Sequence, residues 1–183
     1  MTLASRSDPY RAYNFLITLL DASAELTAAL KQIARMTSGG FSECSGLEST
    51  IEIEEWKEGG NNGATLKFPT RGKTVPLVLK RGVTTNDDLW RWHNAFLVGR
   101  GQRRDGLIVL HNELREPVKA WAFHRGIPTK YSGPTLNAAD SAIAVEQLEI
   151  THEGLALISP VQSISSIVGA VASSAETIGS LFD

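Results

Sequence analysis

The sequence predicts a mainly β domain, α+β in detail, with one well-bounded α-helix at about 86–98. Three observations lead there. The stretch Gly40–Phe68, GFSECSGLESTIEIEEWKEGGNNGATLKF, alternates apolar and charged residues on both sides of a glycine/asparagine turn. Leu107–Asn112, Val118–Gly126 and Ala142–Glu153 are further β-type runs between turn signals. Asn86–Val98 switches to helical spacing between a capping signal and a glycine stop.

Taken in order, residues 1–9 are polar and end in Asp8-Pro9, which predicts a flexible N-terminal arm. Tyr10–Leu20 reads as a first strand. Over residues 22–36 the period changes, with Leu26, Leu30, Ile33 and Met36 at helical spacing before Gly39-Gly40, so a helical insert is expected between two strands. Residues 47–68 then read as a projecting hairpin. Ile51 and Ile53 alternate with Glu52 and Glu54; past Gly59-Gly60-Asn61-Asn62-Gly63, Leu66 and Phe68 alternate with Thr65 and Lys67. One apolar face and one charged face are expected. A ribbon of this kind is marginal alone in water and offers unpaired edges, so it should pair with or pack on something. Lys73–Lys80 reads as a strand in which Pro76 marks an edge or a bulge.

The helix has the best local signals. Thr85 can cap it with Asp88 three residues on, Asp87 and Asp88 suit its positive end, and Gly99 can stop it. Leu89, Trp92 and Phe96 share one face and should lie against a sheet, whereas Trp90 and Leu97 sit on another flank, which suggests a second packing partner. Beyond it, a turn around Glu113–Pro117 joins two strands as a meander, and Gly126-Ile127-Pro128 bends the second. In Ala142–Glu153 the apolar phase changes from Ile143 and Val145 to Leu148 and Ile150, which a bulge near Glu146-Gln147 would explain. From Pro160 to Asp183 a serine- and alanine-rich tail carries Ile164, Ile167, Val168, Val171, Ile178 and Leu181 roughly at helical spacing, either a weak amphipathic helix or a disordered end.

At 183 residues and 42% hydrophobic, the chain suits a single domain, residues 1–159, that buries roughly 70% of its unfolded surface, followed by the tail at 160–183. The formal net charge of −2 gives no bulk attraction to nucleic acid or anionic lipid. Cys44 is the only cysteine, which excludes an intramolecular disulfide and fits a reducing cytoplasm. No signal-like apolar core opens the chain and no run of about 18 apolar residues occurs, so neither general export nor direct membrane binding is expected.

A catalytic site finds no support. His93, His111, His124 and His152 lack paired metal-ligand spacing, and neither HExxH nor CxxC occurs. Cys44, lying in a strand-turn pattern, reads as a small buried residue rather than a nucleophile. The glycines of KEGGNNG lack the order of a phosphate loop and serve the turn. No enzyme activity, cofactor or metal is expected.

Seven segments together carry a family resemblance: DPYRAYNF, GFSECSGLES, KEGGNN, LKRGVT, NDDLWRWHN, WAFHRGIPTKYSGPTLNA and VEQLEITHEGL. In order, from about Asp8 to Leu155, they resemble the tail tube proteins of contractile phages and of extracellular contractile injection systems. The resemblance implies two packed antiparallel sheets in a β-barrel-like domain with one helix. It further implies hexameric rings whose subunits share strands around a large β-barrel lumen, and stacking of those rings into a hollow inner tube within a sheath. The partners implied are other copies of the chain, a sheath protein, baseplate or spike and tube-terminator proteins, and a cargo of protein effector or DNA in the lumen. Assembly in the cytoplasm into a phage tail or a released particle is implied as well. The helical insert and the tail beyond Pro160 depart from the family pattern.

Within that frame the turn Glu54, Glu55, Trp56, Lys57, Glu58, Gly59, Gly60, Asn61 and Asn62 is expected to dock into the adjacent ring with Trp56 as its anchor. Lys67, Arg71, Lys73, Lys80 and Arg81 offer a possible complementary basic surface, and the helix residues Leu89, Trp90, Trp92 and Phe96 serve packing or a subunit contact. Tyr10–Leu20 and Ala142–Glu153 are candidate edges for pairing around the ring. The other readings are a solvated hairpin that flanks the sheet, and a baseplate or initiator adaptor of the same fold that forms one ring without polymerising.

Overall fold

In the computed structural model, residues 9–21, 40–57, 59 and 63–158 are described. Residues 1–8 of the expected arm, the insert at 22–36, the tail at 160–183 and the turn residues Glu58, Gly60, Asn61 and Asn62 lie outside them.

One long strand organises the fold. β1 (Phe15–Asp21), β2 (Phe41–Ser45), β3 (Ser49–Trp56), β4 (Leu66–Thr74) and β5 (Leu77–Gly82) precede α1 (Asp88–Leu97); β6 (Arg104–His111), β7 (Pro117–Ser132), β8 (Val145–Thr151) and β9 (Gly154–Ile158) follow it. The 16-residue β7 belongs to two antiparallel wings. Its first half lies between β6 and β9, with β1 beyond β6; its second half pairs with β8, followed by β5 and β2. β8 and β9 run along the same edge of β7, Thr151 facing Ile127 and Gly154 facing His124.

The corner between the wings is built locally. Arg125 takes φ 52°, with its backbone N–H donating to Asp105 Oδ1 at 2.7 Å and its guanidinium 2.7 Å from Glu153. At Gly126 a Cβ would lie 2.7 Å from the Phe123 ring and 3.0 Å from the Arg104 carbonyl, so a side chain would force the corner apart. The facing strand turns the same corner, and the Glu153 N–H donates to the His124 carbonyl at 3.0 Å.

The bend folds the wings onto a common core. Ile17, Leu19, Ile108 and Phe123 come from one wing, Leu77, Leu79, Leu148 and Ile150 from the other, and Leu89 and Trp92 from α1. Each such aliphatic side chain contributes about 1.5–3 kcal/mol by leaving water. The Trp92 indole N–H donates to the Gln102 carbonyl at 2.8 Å, and the Arg104 guanidinium lies 5.1 Å above its ring.

Several expectations need revision. The helix starts at Asp88, and Asn86 rather than Thr85 serves its entrance: Asn86 Oδ1 accepts from the Asp88 N–H at 2.8 Å. Gly99 closes it as expected, at φ 73°. Pro76 lies between two strands, β4 and β5, instead of within one. The phase change expected in β8 is absent, because Glu146 occupies the core phase with Leu148 and Ile150; the bulge lies opposite, between Pro128 and Lys130 of β7. β8 is an interior strand, hydrogen-bonded on both sides, so it is no ring-closing edge.

Candidate assembly surfaces

The long strand read from Gly40 onward is two strands with a joint. β2 pairs with β5, and β3 pairs with β4 in the same register, Ser45 facing Val78 and Ser49 facing Thr74. The joint is Gly46, at φ 87°, where a Cβ would stand 2.2 Å from the Pro76 carbonyl oxygen. It closes with the Val75 N–H donating to the Glu48 carbonyl at 3.4 Å. Past it, β3 and β4 pair only with each other among the described residues and project as a ribbon.

The ribbon does not sort its residues as the alternation suggested. Trp56 faces Leu66 and Glu54 faces Phe68 on one side, while Ile53 faces Pro69 and Glu55 faces Lys67 on the other. An extra residue on β4 between the Ile51–Gly72 and Ile53–Pro69 pairs shifts the phase. Each face is therefore mixed, and both expose apolar groups: Trp56 is 59% exposed, Phe68 52% and Ile51 65%. Lys57 and Gly59 are exposed beyond them. Such exposure on a ribbon with two open edges marks a surface that gains by meeting another molecule.

The five cations fall in three places. Lys67, Arg71 and Lys73 lie along β4 beside the acidic β3, with Lys67 3.6 Å from Glu55. Lys80 points outward from β5 to Glu43 at 2.9 Å. Arg81 is buried, so it belongs to no surface.

On the helix, Leu89 and Trp92 are buried and Phe96 packs against the core, as their spacing predicts. Trp90 is half exposed, edge-on to Tyr131 with ring centroids 5.1 Å apart. The Tyr131 hydroxyl donates to Glu146 Oε2 at 2.6 Å; burial first, then this bond, pushes its pKa up to about 12.

A third surface escaped sequence reasoning. The outward face of the wing β7-β8-β5-β2 carries Lys130, Glu149, Lys80 and Glu43, with Lys130 3.0 Å from Glu149. It is polar and its charges cancel in pairs. The alternation in each strand held this signal, but the pairing of β8 with β5 and β7 is needed to assemble it. Cys44 packs against the core, its thiol pushed up to about 11 by burial and then by Glu43. Among the described residues no cluster of three or more His, Cys, Asp or Glu could hold a metal ion, and no helix is long and apolar enough to cross a membrane.

The comparisons agree with this architecture. The structure is similar to a chain of the anti-feeding prophage (AFP) baseplate, with TM-score 0.71 and 24% identity over 84% of this chain and 97% of that one. It is also similar to a chain of the AFP tube-terminating cap, with TM-score 0.70 and 22% identity over 87% and 100%. A chain of the sheath–tube complex of an extracellular contractile injection system, PVC, gives TM-score 0.66 and 21% identity over 82% and 91%. No curated protein matches the sequence. The family described as T4-like virus tail tube protein gp19 matches residues 11–156, and the chain belongs to that family.

Proposed function

We propose that the chain is the repeating subunit of the inner tube of a contractile injection system or phage tail, a structural part without catalytic activity. The observation that carries this reading is the match to the tail tube family along residues 11–156. Subunits close into hexameric rings, and rings stack head-to-tail into a hollow conduit that the sheath drives outward with protein or DNA cargo in its lumen. Sheath, baseplate or spike, and terminator proteins meet the tube along its outside and at its ends. Assembly takes place in the cytoplasm, and the product is a tail or a released particle.

The geometry supports each contact. Around the ring, the outer edge of β2 and the Ile127–Ser132 half of β7 are, among the described residues, unpaired edges on opposite sides of one wing. Pairing them between neighbours is a heterologous contact that closes when the rotation does. The wing's charge-balanced outward face then lines the lumen and stays wetted. Between rings, the β3–β4 ribbon of eight to nine residues per strand reaches about 26–30 Å from the joint at Gly46. Glu54 to Asn62 enter the next ring with Trp56 as the anchor, and Lys67, Arg71 and Lys73 supply the opposite sign beside the acidic strand.

Negative-stain electron microscopy of the purified protein over a concentration series tests the reading. Stacked hollow rings are expected. Single rings at every concentration would favour a baseplate or initiator adaptor, and persistent monomers would overturn the assembly reading.

A further inference from the structure

The wing β1-β6-β7-β9 has a second face, turned away from the shared core. Alternation places Thr18, Leu107, Val109, Ala120, Ala122 and Ile158 on it. A sheet face that met water would be polar. On this one, Asp105 and His124, 3.0 Å apart, sit at the corner end. The rest is uncharged and dry: Thr18 is 2% exposed, Leu107 3%, Val109 5% and Ala120 0%. Leu107, Val109, Ala120 and Ala122 form a hydrophobic cluster separate from the core, with Ile158 against it. Among the described residues no helix or strand is stacked across this face. Such a face needs a cover that the described residues do not supply.

We propose that the cover is the C-terminal segment, residues 159–183, lying in the trough over Ala120 and Ala122 of its own chain. The segment leaves β9 at Ile158, which is itself on this face, so no linker length is lost in reaching it. Its Ile164, Ile167, Val168 and Val171 fall at helical spacing and give one apolar stripe to match. Its only charged side chains are Glu176 and Asp183, which suits the apolar cluster of Leu107, Val109, Ala120 and Ala122; the segment leaving the same wing at Asp21 brings Glu25, Lys31 and Arg35. A helix from Ile164 to Leu181 spans about 26 Å, enough to cross four strands spaced about 4.8 Å apart. A partner approaching this side of the subunit then meets the serine-rich side of the segment, with Ser163, Ser166 and Ser173, rather than the sheet.

The test is thiol labelling at position 109 in a Cys44→Ser, Val109→Cys protein kept dilute. In the full chain, labelling should be at least about tenfold slower than in a Cys44→Ser, Ile51→Cys control on the exposed ribbon. Ending the chain at Ser159 should bring position 109 up to the control rate. Ile167→Glu with Val171→Glu in the full chain should do the same, and this variant decides the matter if the shortened chain does not fold. Fast labelling in the full chain would show an open face. Slow labelling in both tail variants would assign the cover to another segment, and protection that appears only on raising the concentration would assign it to a second copy; each of these outcomes overturns the proposal.

Discussion

Arg81 and Glu146 stand directly opposite each other on β5 and β8 and form an ion pair inside the core, 2% and 5% exposed. Each member has a further partner: Arg81 also donates to the Asn86 carbonyl at 2.6 Å, and Glu146 accepts from the Tyr131 hydroxyl. It thereby ties the entrance of α1 to two strands of one wing. Removing one partner leaves a charge without compensation in a low-dielectric site, so Glu146→Ala should destabilise the fold by about 3–5 kcal/mol. Replacing both, Arg81→Met with Glu146→Leu, should cost less than Glu146→Ala alone. Urea unfolding of the two variants checks the order, and a double variant no more stable than the single one would contradict it.

The joint of the ribbon depends on Gly46. Gly46→Ala puts a methyl group against the Pro76 carbonyl and a side chain at φ 87°, so a loss of about 1–3 kcal/mol or more is expected. Gly72→Ala, on the ribbon where a Cβ meets nothing within 4 Å, should shift stability by no more than about 0.5 kcal/mol. Thermal unfolding of the two variants should separate them clearly.

Trp56→Ala should leave the isolated subunit's stability within about 0.5 kcal/mol, because the side chain already stands largely in water. Long tubes should nevertheless disappear from electron micrographs. Tubes of normal length in the variant would remove Trp56 from the ring contact.

Burial holds His152 below its ordinary pKa of 6.5, an effect partly offset by the backbone of Gly154 and Val75. The unfolded chain then takes up a proton more readily than the folded one. Stability is full above 6.5 and falls as the pH drops through that value toward the folded-state pKa, by at most about 1.4 kcal/mol per pH unit for this one proton. His111, also lowered by burial, adds to the slope. Urea unfolding at about pH 7 and about pH 5 should show a smaller difference in His152→Leu than in the unsubstituted protein.

What the sequence by itself determined was set by short-range physics. Alternation around the KEGGNNG turn marked the ribbon, glycine and acidic residues bounded α1, and helical spacing separated buried Leu89 and Trp92 from the outer Trp90 and Leu97. The ordered run of motifs was enough to place the chain in its family. Tertiary structure alone decided which faces those strands present. One extra residue on β4 puts Trp56 beside Leu66 and Ile53 beside Pro69, and one on β7 displaces its pairing with β8. Arg81 and Glu146 look like surface charges until β5 and β8 are set side by side. The physical reason is that a strand's own period is two, whereas its partner, its register and any bulge come from residues far along the chain, and one inserted residue exchanges the two faces.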